Sequence, residues 1–202
     1  MTATNSLSPK QAQLVFRAVL DALARPGEVL SLPAISMEIG PSISMEIGPS
    51  ISMEIADPGV PAALLPVLAL ADLDTPVHVD DCADVVRTQT SAPIVDRPAA
   101  RLAALLKPLD GLAGFSVGSA AAPEDAALIS LAVEGFGGGR PLRLAGPGVP
   151  GRRELRVAGL PADFVAQRRD LISFPAGFDL LLVGPGGELV GLPRSTRVEE
   201  GA

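Results

Sequence analysis

Arginines are the side chains best suited to do chemistry in this sequence. Arg140 and Arg143 bracket one apolar run, and Arg194 and Arg197 follow a hairpin signal near the C-terminal end. A guanidinium is a planar fork of donors that matches phosphate and carboxylate oxygens two at a time. Two such forks on neighbouring strand ends can hold an anion, and they can equally tie subunits or strands together. Arg140, Arg143 and Arg194 are therefore candidates for anion binding or assembly, and no residue is assigned a catalytic role.

The other motifs are weaker. Gly146-Pro147-Gly148-Val149-Pro150-Gly151 matches G-x-G-x-x-G after an expected strand, which makes a dinucleotide-dependent oxidoreductase the competing reading. Dinucleotide binding needs a helix opening at the last glycine so that its amides meet the pyrophosphate. Here Arg153 to Val157 reads as extended, and Pro147 and Pro150 remove two amides. His78 sits between two valines, as a packed strand side chain does. Asp72, Asp74, Asp80 and Asp81 surround that strand and suit caps and turns better than a cation. Cys82 follows Asp81, whose charge opposes thiolate formation. No metal and no cofactor is expected.

Positioning these groups requires a folded core, and the composition supplies one. Of 202 residues, 48% are apolar and 19% charged, with a net charge of -7. That sign disfavours binding to phosphate backbones, and the absence of Trp and Tyr removes stacking platforms for bases. One cysteine and one histidine cannot build a zinc cluster or an internal disulfide. Without an uncharged run long enough to cross a bilayer or an apolar leader, a cytoplasmic protein without membrane association is expected.

The pattern along the chain is mixed α/β, read as one domain over 1–202. Ser8-Pro9 with Gln11 forms a capping box, and Val15, Phe16, Val19, Leu20 and Leu23 make one apolar stripe, ending at Arg25-Pro26-Gly27. Glu28 to Leu32 reads as extended. Residues 35–55 hold three near-identical copies of ISMEIGPS, each alternating apolar and polar, so a small meander is possible; the repeat reads as a recent duplication or an introduced sequence. Pro61 to Leu73 suits a helix, Thr75 to Val79 a strand, and Asp84 to Thr90 a short helix. By propensity, Ala99 to Lys107 favours helix. Ala126 to Val133 and Pro141 to Ala145 read as strands separated by a loop of glycines at 135 and 137–139, and Arg153 to Val157 extends that sheet. Pro161 to Ile172 is an amphipathic helix with Gln167, Arg168, Arg169 and Asp170 on its wet side. Phe178 to Val183 and Glu188 to Leu192 flank Gly184-Pro185-Gly186-Gly187 as a hairpin.

Several segments gain meaning as an ordered set. They are Phe16-Arg17 through Ala24-Arg25-Pro26-Gly27, Leu70 to Val77, Thr90-Ser91-Ala92-Pro93-Ile94, Gly118 to Glu124, Gly138 to Leu144 leading to Gly146-Pro147-Gly148, Phe174-Pro175, Gly177-Phe178-Asp179 and Pro193 to Glu199. Over nearly the whole chain this series resembles the PhnH family of the bacterial carbon-phosphorus lyase system. The resemblance implies a mixed-sheet domain similar to the large domain of pyridoxal-phosphate-dependent transferases but without that cofactor, and Lys10 and Lys107 lie in no convincing cofactor site. It also implies a strand, not a helix, at 99–107. It further implies a homodimer in isolation and a core assembly with PhnG, PhnI and PhnJ. In that assembly methylphosphonate displaces the adenine of ATP to give α-D-ribose 1-methylphosphonate 5-triphosphate. This subunit's part would be structural or auxiliary.

Overall fold

A computed structural model describes residues 7–35 and 60–201. Most of the 35–55 repeat, and with it the expected meander, lies outside the described residues. Helix α1 (Pro9–Ala24) starts at the capping box: the Ser8 hydroxyl accepts from the Gln11 N–H and Gln11 Oε1 from the Ser8 N–H. Two amides that a helix start leaves unpaired are thereby satisfied. Val15, Val19 and Ala22 are buried, but Phe16 and Leu20 of the expected stripe are exposed. The buried line faces α2 and β8, leaving Phe16 and Leu20 on the outer side of the helix.

After β1 (Leu30–Ser31), a 3-10 turn at Ala62–Leu64 leads into α2 (Leu65–Leu70), shorter than the helix expected from 61 to 73. Pro66 is accommodated in the first turn of α2, where its missing N–H costs nothing. Asp72 then turns the chain by accepting from the Asp74 amide and the Thr75 hydroxyl. There follow β2 (Val77–Val79), α3 (Ala83–Thr90), β3 (Leu102–Leu105) and β4 (Leu128–Ala132). The segment at 99–107 thus contains a strand, as the family resemblance implies and against local propensity. Its Leu-Ala-Ala-Leu run is buried on both faces, and a central strand so placed is selected by packing rather than by propensity.

The remaining elements are β5 (Gly135–Ala145), β6 (Arg153–Ala158), α4 (Phe164–Leu171), β7 (Asp179–Val183), β8 (Glu188–Leu192) and β9 (Arg197–Glu200). Two sheets form where one was expected. The larger has the order β1-β8-β7-β4-β3-β2, with β2, β3, β4 and β7 parallel and β8 returning antiparallel from the glycine-rich turn. The smaller is antiparallel, β6-β5-β9. The glycines at 135–139, expected as a loop, belong to β5, where the register with β6 slips between Phe136 and Arg140. A bulge of this kind lets a glycine run continue a strand.

Alternation along β7 builds three layers. Leu181 and Val183 join α1, α2 and α3 on one face of the large sheet, while Leu180 and Leu182 join Leu142, Leu144, Leu155 and Val157 of the small sheet and Phe164 of α4 on the other. Ser130 is the buried polar exception on β4, and its hydroxyl donates to the Ala63 carbonyl at 2.6 Å, fastening the 3-10 turn. Gly191 of β8 faces α1 so closely that a Cβ would collide with the Ala22 carbonyl and approach the Leu23 amide nitrogen to 2.8 Å. Replacing Gly191 by Ala is therefore expected to lift α1 from the sheet and lower stability by about 1–3 kcal/mol, the usual cost of overpacking. Urea unfolding of the variant beside the parent measures it.

Candidate functional site

Helix α4, the turn after it, the end of β5 and the turn joining β8 to β9 enclose a cleft of about 560 Å³. Four arginines line it: Arg168 and Arg169 from α4, Arg194 from the β8–β9 turn and Arg197 at the start of β9. Phe174 and Ile172 supply an apolar wall, and Gly146 and Pro147 close the far side. Phe174 is 70% exposed, an unusual position for so apolar a side chain.

Arg168 organises this region. Phe164, one turn earlier on α4, is anchored in the core between the sheets, which draws Arg168 inward to only 3% exposure. Its Nη2 donates to the carbonyls of Pro193 at 2.6 Å and Thr196 at 3.2 Å, so the guanidinium grips the β8–β9 turn from beneath. The turn is also closed by the Thr196 amide donating to the Pro193 carbonyl at 2.9 Å. Burial pushes Arg168 down to about 10, opposed by the charge of Asp179, so it is cationic at neutral pH. The wet-side placement expected for Arg168 is thus overturned: α4 packs on two sides, against the core and against the turn. Gln167, also expected in solvent, accepts from the Leu112 amide at 2.9 Å.

The arginines singled out from sequence do not form one site. Arg194 lines the cleft, but its guanidinium is paired with Asp179: Nη2 lies 2.7 Å from Oδ2, Nε lies 3.2 Å from both oxygens, and Nη1 donates to the Pro123 carbonyl at 2.7 Å. This pair closes the open end of the β7–β8 hairpin. Arg143 on β5 stands in register with Glu154 of β6 on one side and Glu199 of β9 on the other. Arg140, at the bulge, donates to the Ala162 carbonyl at 3.2 Å on a second, smaller concavity. Arg168 itself was missed because a helix wheel shows only one buried face; its spacing four residues after Phe164 was the available signal.

The Gly146–Gly151 segment turns β5 into β6, so a strand follows where a dinucleotide site needs a helix. Gly148, at φ +77°, packs on the end of α1, where a Cβ would stand 2.5 Å from the Ala24 carbonyl oxygen. These glycines serve close backbone approach. His78 packs edge-on against Phe115, with centroids 5.7 Å apart, and its Nδ1 lies 3.0 Å from the Val95 carbonyl. Asp80 accepts from the Leu106 and Lys107 amides. Burial, then the charges of Asp81 and Asp80, push the Cys82 thiol up, away from nucleophilic thiolate.

The two guanidinium environments on adjacent elements are expected to differ under substitution. Arg194 and Asp179 are 16% and 22% exposed, so Arg194→Ala leaves a carboxylate largely shielded from water and should cost about 2–3 kcal/mol, somewhat below a fully buried pair. Arg143→Ala removes only cross-strand partners and should cost under about 1 kcal/mol. Thermal and urea unfolding of both variants compare them.

The family model for bacterial phosphonate metabolism protein PhnH matches residues 5–199. HtxG of Stutzerimonas stutzeri, named as a candidate C-P lyase subunit, is 31% identical over 196 residues, which span 95% of this chain and 87% of that protein. The α-D-ribose 1-methylphosphonate 5-triphosphate synthase subunit PhnH of Rhizobium meliloti strain 1021 is 28% identical over 201 residues, 94% of this chain and 90% of that one. A match that spans residues 5–199, from before α1 into β9, makes this chain a member of the PhnH family.

Proposed function

We propose that this chain is a subunit of a carbon-phosphorus lyase core assembly, acting where α-D-ribose 1-methylphosphonate 5-triphosphate is made from ATP and methylphosphonate. The observation that carries this reading is the family match over residues 5–199, together with one relative named as a C-P lyase subunit and one named as an α-D-ribose 1-methylphosphonate 5-triphosphate synthase subunit. Its partners are PhnG, PhnI and PhnJ, its setting is the cytoplasm where ATP is available, and alone it forms a homodimer. Among the described residues no helix is long and apolar enough to cross a membrane.

The role proposed is auxiliary. The cleft offers cations and two hydroxyls, and among the described residues its lining contains no carboxylate, imidazole or thiol that would take a proton from a reacting group. Such a lining suits holding and placing an anion. Exposed Leu14, Phe16, Leu20 and Val29 give α1 and the segment after it an apolar surface for a partner subunit.

Two measurements test the assembly reading. A tagged chain expressed with the other three subunits is expected to copurify with all of them, and adenine release from ATP with methylphosphonate is expected to fall when this chain is omitted. Full adenine release without it, or failure of the three to copurify, overturns the proposal. Light scattering of the isolated chain is expected to give twice the 20.6 kDa protomer mass.

A further inference from the structure

The buried guanidinium of Arg168 is only half used. Nη2 is engaged by the carbonyls of the β8–β9 turn, whereas Nη1 has no hydrogen-bond partner although it is shut off from solvent. The same holds for Thr196 Oγ1, on a residue 4% exposed. An unpaired buried donor is costly, and one on a cation more so. These two groups belong to residues on facing elements of the same arginine-lined cleft; among the described residues the other buried side-chain polar atom without a partner is Gln89 Oε1 on α3, away from the cleft.

The geometry points to a binding site for a phosphate-type oxyanion, seated between α4 and the β8–β9 turn. We propose that Arg168 Nη1 and Thr196 Oγ1 donate to its oxygens from the cleft floor and that Arg197 closes on it from the rim. Arg197 is exposed and forms no ion pair among the described residues, so its fork is free for this purpose. Arg169 adds positive charge from α4, partly offset by Asp170, whose Oδ1 lies 3.5 Å from its Nε. Arg194 adds little, because Asp179 already neutralises it. Both donor atoms are shut off from solvent, so binding requires the side chains around them to shift. The cleft is far larger than one oxyanion, and Phe174 and Ile172 line the remainder, which suits the organic part of a phosphate ester or phosphonate.

This inference deepens the assembly reading by giving the subunit a ligand of its own, but it rests on the isolated chain and is tested there. The purified full chain is titrated calorimetrically with inorganic phosphate and with ribose 5-phosphate. Saturable binding is expected, weakened about tenfold by Arg197→Ala, the usual loss for one charge-assisted contact, and also weakened by Thr196→Val, which keeps shape and removes the hydroxyl. Arg140→Ala, outside the cleft, should leave binding unchanged. Tighter binding of ribose 5-phosphate than of phosphate identifies a phosphate ester as the ligand class; equal binding identifies the free oxyanion. No saturable binding of either probe at millimolar concentration, or equal weakening in Arg140→Ala and Arg197→Ala, overturns the site. Thermal melting of each variant without ligand separates lost binding from lost folding. Copurification of Arg197→Ala with the other subunits distinguishes a failure of this site from a failure of the assembly.

Discussion

A guanidinium gripping backbone carbonyls from below is the interaction on which the C-terminal third of the molecule depends. Arg168 has to be drawn inside for α4 to pack, and that is possible only because the Pro193–Thr196 turn presents its carbonyls where a cation needs acceptors. The arrangement holds α4 against the junction of the two sheets and fixes the backbone from which Arg194 and Arg197 project. It also leaves positive charge in a place where water cannot answer it. Arg168 has no ion pair of its own among the described residues, only the nearby charge of Asp179 opposing the cost of burial, and an oxyanion at the proposed site would offset more of that cost.

Around this grip, the layers are set by simple burial. Strand β7 is apolar on both faces, so it must lie in the middle, with helices on one side and the small sheet on the other. The parallel order of β2, β3, β4 and β7 follows from connections long enough to cross back over a face, while the tight glycine turn after β7 forces β8 to return antiparallel. Gly191 lets α1 approach β8, and Gly148 lets the β5–β6 connection lie on the end of α1. Both glycine contacts fall on the last residues of α1, Ala22 to Ala24.

Much of this was legible in the residues themselves. The capping box at Ser8, the hairpin at Gly184–Gly187 and the strand at Arg153 have local causes, namely side-chain hydrogen bonds, permissive backbone and alternation, and they form where expected. What was not legible depends on partners distant in sequence. Leu102–Leu105 is a strand because neighbours bury both of its faces, and residues 135–139 are a strand because β6 tolerates a bulge beside them. Of the site, the cationic character was visible in Arg194 and Arg197. Its centre was not, since a polar residue on an amphipathic helix reads as solvated until a second element is known to cover it. Pairing of Arg194 with Asp179 is equally invisible, because fifteen residues and a hairpin separate them.

The β8–β9 turn has one more property that follows from its position. Strand β8 leaves the large sheet at Leu192 and β9 joins the small sheet at Arg197, so only four residues bridge them, a reach of at most roughly 14 Å for extended chain. Those four residues carry the Arg168 acceptors at Pro193 and Thr196 as well as the backbone of Arg194. Adding or deleting a single residue there would rotate every donor and acceptor away from its mate while also changing the tilt of one sheet on the other. Chain length between Leu192 and Arg197 is therefore as much a determinant of this surface as any side chain on it.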